Sequence, residues 1–314
     1  MPGLYLHIGY PKTGTTTLQK HLFATHPEID YLGKMIPGFH YGIEELGPEI
    51  EQLTTATSIN YKGTERLRKV IAACRVGMRD KSVLLSSESF VHPSSADPCI
   101  VAERAREAFE PCKVIIVIRE QRDILRSFYG MHGRFGQYLF VHKDELERLD
   151  LPLSIDQWLT YCFSSFERNL TATLHYNRVI CLYQKSFGEE NVGVFLYEEL
   201  KHDTARFVTK LCDFMDIDAA SAIGLIEGRK ENSRITRGEL FWSRLSMRLR
   251  WNSRSDTLYR RGSRIYDKLL SRMQAESDVI PADWEARIRD TYAVDNLALE
   301  EVSGLPLTEY GYFT

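Results

Sequence analysis

The sequence predicts an α/β protein with a central parallel sheet and helices on both faces. Three observations carry that prediction. Short apolar runs recur at residues 4–8, 83–85, 114–118 and 192–197. Segments with helical spacing of apolar residues separate them, the alternation expected of successive βαβ units. The first run leads at once into a glycine-bounded turn and a helix start, Gly9-Tyr10-Pro11-Lys12-Thr13-Gly14-Thr15-Thr16-Thr17. The 314 residues are read as a single domain over 1–314. An α/β core fills 1–228, and a basic helical lid with a C-terminal segment fills 229–314.

The elements follow in order. Residues 4–8, Leu-Tyr-Leu-His-Ile, read as a short buried strand. A helix covers about 15–24. Residues 33–48 hold Gly33, Pro37, Gly38, Gly42, Gly47 and Pro48, with Phe39, His40 and Tyr41 among them. They read as a loop without an element of its own, and long loops often carry function. Leu67, Val70, Ile71, Cys74 and Met78 fall on one helical stripe. Residues 83–87 form the next strand. Asp97-Pro98 starts a helix, an N-cap followed by Pro at the first helical position. The strand at 114–118 follows. Ser154 then caps a helix with Ile155, Trp158, Leu159, Cys162 and Phe166 on one face. A helix or turn carries 170–183, and the strand at 192–197 precedes a helix over about 203–215.

Composition bounds the function. Hydrophobic residues make up 43% and charged residues 26%, as in ordinary soluble domains. A net charge of −3 predicts no bulk affinity for nucleic acid. No apolar run is long enough to span a bilayer, and the first strand leaves no room for a signal peptide. Cys74, Cys99, Cys112, Cys162, Cys181 and Cys212 form no C-x-x-C pair, which argues against zinc. Apolar neighbours, as in Ile180-Cys181-Leu182 and Leu211-Cys212, predict buried reduced thiols. Between 229 and 272 there are thirteen Lys or Arg against four acids. Two readings fit that segment: surface helices packed on the body, or a lid for an anionic ligand such as cofactor phosphates, an acidic glycan or a lipid headgroup at a membrane surface.

The turn after the first strand is a phosphate cradle, because a helix start offers N–H groups and the positive end of a dipole. A nucleotide-hydrolysing loop reads G-x-x-x-x-G-K-[ST]. Gly9 and Gly14 have that spacing, but Thr15 stands where the lysine belongs and Lys12 precedes Gly14 by two residues. No acidic residue placed to hold Mg²⁺ is evident after the later strands. The loop therefore reads as a site for a phosphorylated nucleotide whose chemistry needs no metal.

Pro11-Lys12-Thr13-Gly14-Thr15-Thr16 resembles the 5′-phosphosulfate loop of sulfotransferases that use 3′-phosphoadenosine 5′-phosphosulfate (PAPS). Arg119, at the end of the run 113–118, and Ser127, eight residues on, resemble the pair that holds the 3′-phosphate there. Looser likenesses to bacterial and carbohydrate sulfotransferases lie at 186–215, at Glu231-Asn232-Ser233 and at 305–312. The resemblance implies a three-layer architecture similar to P-loop nucleoside kinases. It implies PAPS as donor and 3′-phosphoadenosine 5′-phosphate (PAP) as product. Lys12, Thr13, Gly14, Thr15, Thr16 and Thr17 are then expected around the 5′ group, Arg119 and Ser127 at the 3′-phosphate, and Asn232 and Ser233 closing over the nucleotide. Animal Golgi members carry a membrane anchor ahead of the loop; none is seen here, so a cytoplasmic, bacterial enzyme is expected.

Sulfuryl transfer needs a cation beside the leaving oxygen, an aligned acceptor and a base. Lys12 is the expected cation. Glu88 ends the run Ser86-Ser87-Glu88, at the edge where open α/β sheets bind ligands. It is the preferred base, and several carbohydrate sulfotransferases use a Glu in that role; His92 and His132 are the alternatives. His40 is a candidate for touching substrate, and Arg122 and Arg126 read as ion-pair or rim residues. The expected acceptor is a hydroxyl of a carbohydrate or glycolipid. A Mg²⁺-dependent kinase or NTPase, and a nucleotide-binding protein without catalysis, are the competing functions.

Overall fold

A computed structural model describes residues 3–35, 40–77, 80–91, 96–131, 133, 153–164, 170–229 and 279–314. Seven strands are assigned among them: β1 Leu4–His7, β2 Ile29–Tyr31, β3 Lys34–Met35, β4 His40–Tyr41, β5 Ser82–Ser86, β6 Lys113–Ile118 and β7 Val192–Leu196. The helices are α1 Thr15–Thr17, α2 Leu46–Thr55, α3 Glu65–Gly77, α4 Pro98–Phe109, α5 Gln121–Met131, α6 Ile155–Ser164 and α7 Leu170–Thr173. They continue with α8 Tyr176–Phe187, α9 Tyr197–His202, α10 Thr204–Met215, α11 Ala219–Ile226 and α12 Ala282–Ser303. The first helix passes directly into a wider π-helical segment, Leu18–Phe23.

The main sheet has five strands in the order β2-β5-β1-β6-β7, and every pairing in it is parallel. Leu4 lies opposite Val83, and Val114 opposite Val192. Side chains alternate across a strand, so successive residues feed two different cores. Leu4, Leu6, Ile8, Leu85, Val114, Ile116 and Ile118 pack on one face with α4, α8 and α12. Tyr5, Leu84, Ile115, Val117 and Phe195 pack on the other with Leu18, Leu22, α10 and α11. A parallel sheet buried on both faces is why these strands read as unbroken apolar runs. From β1 the chain first builds β2 and β5 on one side, then crosses to β6 and β7. The reversal puts the carboxyl ends of β5, β1 and β6 side by side, where open sheets form ligand crevices.

The sequence-based boundaries shift in places. Residues 33–48 are not one loop: β3 and β4 form a two-residue antiparallel ladder, Lys34 with Tyr41 and Met35 with His40, and α2 begins at Leu46. Tyr31 steadies the ladder by donating to the Lys34 carbonyl at 3.0 Å. Strand β2 is three residues long, too short for a period to register. Helix α9 starts at Tyr197, directly at the end of β7, so Glu198 and Glu199 are helical. Four cysteines are buried, but Cys99 and Cys181 are exposed. For Cys181 the apolar neighbours mislead, because Val179, Ile180 and Tyr183 hold the inner face of α8 and 181 turns away from it. The expected caps are present: the Asp97 side chain accepts the Cys99 N–H at 2.9 Å, and Ser154 exchanges bonds with Gln157 at 2.9 and 3.1 Å. Met78 and Phe166 lie outside the described residues. No described helix is long and apolar enough to cross a membrane.

One buried polar network ties the core to the chain end. Gln121 Nε2 donates to Asn296 Oδ1 at 2.7 Å. Asn296 Nδ2 donates to Gln121 Oε1 at 3.1 Å and to the Phe313 carbonyl at 2.8 Å. Asn296→Ala leaves the fully buried Gln121 amide short of partners. It should lower unfolding free energy by about 1–3 kcal/mol, read from the urea midpoint at unchanged m-value.

Candidate active site

The loop between β1 and α1 is shaped by two glycines. A Cβ on Gly9 would lie 2.8 Å from the His7 ring and 2.7 Å from the Thr15 methyl, so no side chain fits there. Gly14 has φ 79, and a Cβ would lie 2.8 Å from Leu200 of α9. Within the loop Thr13 donates to the Tyr10 carbonyl at 2.6 Å, and Tyr10 reaches the Thr173 carbonyl at 2.7 Å. Gly14 is the N-cap of α1 and gives no side-chain cap bond. The amides of the first turn therefore meet no side-chain cap.

Lys12 adopts φ 71, a left-handed conformation that costs a non-glycine residue on the order of 1 kcal/mol. Arg119 holds it there: Nη1 donates to the Lys12 carbonyl at 2.9 Å. Burial lowers the Lys12 pKa, and the Arg119 charge adds to that while Glu88 opposes it. All three charges therefore share one field.

Glu88 opens a single 3₁₀ turn just past β5. Ser87 fixes that turn by accepting the Ser89 N–H at 3.2 Å and the Tyr41 hydroxyl at 2.9 Å. Thr15 Oγ1 donates to Glu88 Oε1. Burial raises the Glu88 pKa; the Thr15 bond and the charges of Lys34 and Lys12 oppose the rise. Below this layer His7 Nδ1 pairs with Ser86 Oγ at 2.7 Å, and Gln19 donates to the same oxygen at 2.9 Å. Burial drops the His7 pKa to about 3, so His7 is a neutral support.

Arg119 sits just past the end of β6. Its guanidinium lies over the Tyr197 ring, 4.6 Å from the centroid, and pairs with Asp123 Oδ2 at 3.5 Å. Its carbonyl accepts the Tyr176 hydroxyl. Its Nε is buried with no hydrogen-bond partner among the described residues. Ser127 is half-buried on α5, four residues beyond Asp123 and so one turn further along the same face.

Lys12, Thr15, Glu88 and Arg119 are thus joined through direct bonds or shared charge. Thr13, Gly14 and Thr17 are buried in the same loop and helix start, and Thr16 is half-buried there. Arg122 pairs with Glu120 at 2.8 Å and Arg126 with Asp123 at 3.6 Å. Asn232, Ser233, His92, His132 and residues 230–272 lie outside the described residues, as does the His40 side chain. Sequence reasoning passed over Tyr197, Asp123 and Lys34. Their signal was proximity in the fold: Tyr197 directly follows β7 and opens α9, and Asp123 stands four residues after Arg119, a helical neighbour.

The arrangement offers an anion a helix start without a side-chain cap and a nearby ammonium, and beside them a guanidinium whose buried Nε has no partner among the described residues. No group of three or more His, Cys, Asp or Glu that could hold a metal ion occurs among the described residues.

No curated protein matches this sequence. Similar solved structures include a sulfotransferase from Alicyclobacillus acidocaldarius, 17% identical, with 87% of this chain and 97% of that chain covered and a TM-score of 0.45. The sulfotransferase domain from the curacin biosynthetic pathway is 14% identical over 75% of this chain and 81% of that one, with a TM-score of 0.42. A mouse sulfotransferase complexed with PAP is 14% identical over 72% and 62%, with a TM-score of 0.38. The family model described as the sulfotransferase domain matches residues 5–235. That stretch holds the loop, Glu88, Arg119 and Ser127, and the chain therefore belongs to the sulfotransferase family, transferases that draw a sulfuryl group from PAPS and release PAP.

Proposed function

We propose that the chain sulfates an acceptor hydroxyl, with Lys12 and Glu88 as its catalytic residues and no metal. The observation that carries this reading is the joint of Lys12, Thr15, Glu88 and Arg119 at the carboxyl ends of β1, β5 and β6. PAPS supplies the activated sulfuryl group when bound.

Lys12 puts positive charge where the departing 5′-phosphate oxygen gains negative charge, in a site where water screens little. The amides around Gly14, with the hydroxyls of Thr16 and Thr17, hold the 5′ side, while Thr13 and Thr15 contribute through the loop's backbone, their hydroxyl protons being placed on the Tyr10 carbonyl and on Glu88. Arg119 gives its planar fork to the 3′-phosphate, and Ser127 adds a donor from α5. Glu88 takes the acceptor proton. Its raised pKa makes it a stronger base than a solvated glutamate, and its bond to Thr15 keeps it beside the loop. Asn232 and Ser233 are assigned to closing the nucleotide site by their likeness to family members. The acceptor class is a carbohydrate or glycolipid, supported by the glutamate base and by the thirteen cations of 229–272, which suit an acidic glycan or a headgroup at a membrane surface.

Lys12→Ala should lower kcat by about 10²–10³ while the protein still binds PAP. Glu88→Gln should lower kcat by about 10²–10⁴ with cofactor affinity kept; an unchanged rate removes Glu88 as base. A base with a raised pKa loses activity as pH falls through that value. The acidic limb of the wild-type profile should therefore lie above the ordinary glutamate range and flatten in Glu88→Gln. Transfer of labelled sulfate from PAPS to glycan, lipid and phenol pools reads the acceptor, and EDTA should leave the rate unchanged.

A further inference from the structure

The turn that carries Arg119 is held from outside by the end of the chain. Glu198 Oε1 accepts the Glu120 backbone N–H at 2.9 Å, and Glu198 Oε2 accepts the Tyr312 hydroxyl at 3.1 Å. The Glu120 carboxylate is tied to Arg122 Nε at 2.8 Å and to the Asp123 N–H at 3.0 Å. Arg122 then reaches the Gly311 carbonyl through Nη2 at 2.7 Å, with its guanidinium 4.2 Å from the Phe313 ring centroid. The Tyr312 ring meets the edge of Tyr176, with centroids 6.4 Å apart, and Tyr176 donates to the Arg119 carbonyl. Glu120, Glu198, Tyr176 and Tyr312 are all buried.

We propose that residues 311–313 latch the β6–α5 turn, and that Glu198 and Tyr312 are positioning residues that set PAPS affinity through Arg119. The proposal rests on reading Arg119 as the 3′-phosphate ligand. A long arginine loses rotamer freedom when it grips a phosphate, and less is left to lose when its backbone is already fixed. Glu198 holds two donors at once, one from the turn and one from the tail. Tyr312 is thus the only part of the tail that bonds this carboxylate among the described residues.

The test is calorimetry of PAP binding to the full chain, with Tyr312→Phe and Glu198→Gln, each alone and with Arg119→Ala. The single variants should weaken Kd about tenfold, the loss of one well-placed buried bond, with kcat at saturating PAPS within about twofold of wild type. Added to Arg119→Ala, they should change Kd no further, since coupled residues do not add. Kd values equal to wild type overturn the latch, as does the same weakening with and without Arg119. If Glu198→Gln does not fold, Tyr312→Phe carries the test alone. A wild-type chain that ignores PAP overturns the nucleotide assignment as well, which separates the two failures.

Discussion

The bond from Arg119 Nη1 to the Lys12 carbonyl is the constraint on which the site depends. It links the end of β6 to the middle of the first loop, 107 residues apart in sequence. It is one of the contacts on the left-handed turn at Lys12. Its donor is the residue that the family resemblance assigns to the far phosphate. One guanidinium therefore fixes the loop's backbone and, on the proposed reading, binds the nucleotide.

The sheet order makes that bond available. Strand β1 lies between β5 and β6, so Glu88 and Arg119 rise on either side of the loop. The Thr15 hydroxyl closes one flank and the Lys12 carbonyl the other. Burial then does the electrostatic work. It raises Glu88 and lowers Lys12, and each shift moves its group toward the range where protons exchange near neutral pH.

Much of this was legible in the sequence because it is local. Gly9, Lys12 and Gly14 sit in one short motif, and the four long parallel strands show as apolar runs because both faces are covered. Glu88 and Arg119 could be picked out because each ends such a run. The rest depends on distance in the chain. Tyr197 reads as the last residue of a strand, and only the fold puts its ring under Arg119. Tyr312 and Glu198 are 114 residues apart, and no spacing rule links them. Cys181 misled because neighbours in sequence are not neighbours on a helix face. Strand β2 and the β3–β4 ladder are too short to carry a period.

A crystal structure of the chain with PAP tests the central claim most directly. The account predicts the 5′-phosphate on Lys12 Nζ and the amides that follow Gly14, and the 3′-phosphate on Arg119 and Ser127, with the Arg119 bond to the Lys12 carbonyl kept. A nucleotide seated elsewhere, or one bound with Arg119 turned away from both the loop and the 3′-phosphate, contradicts it.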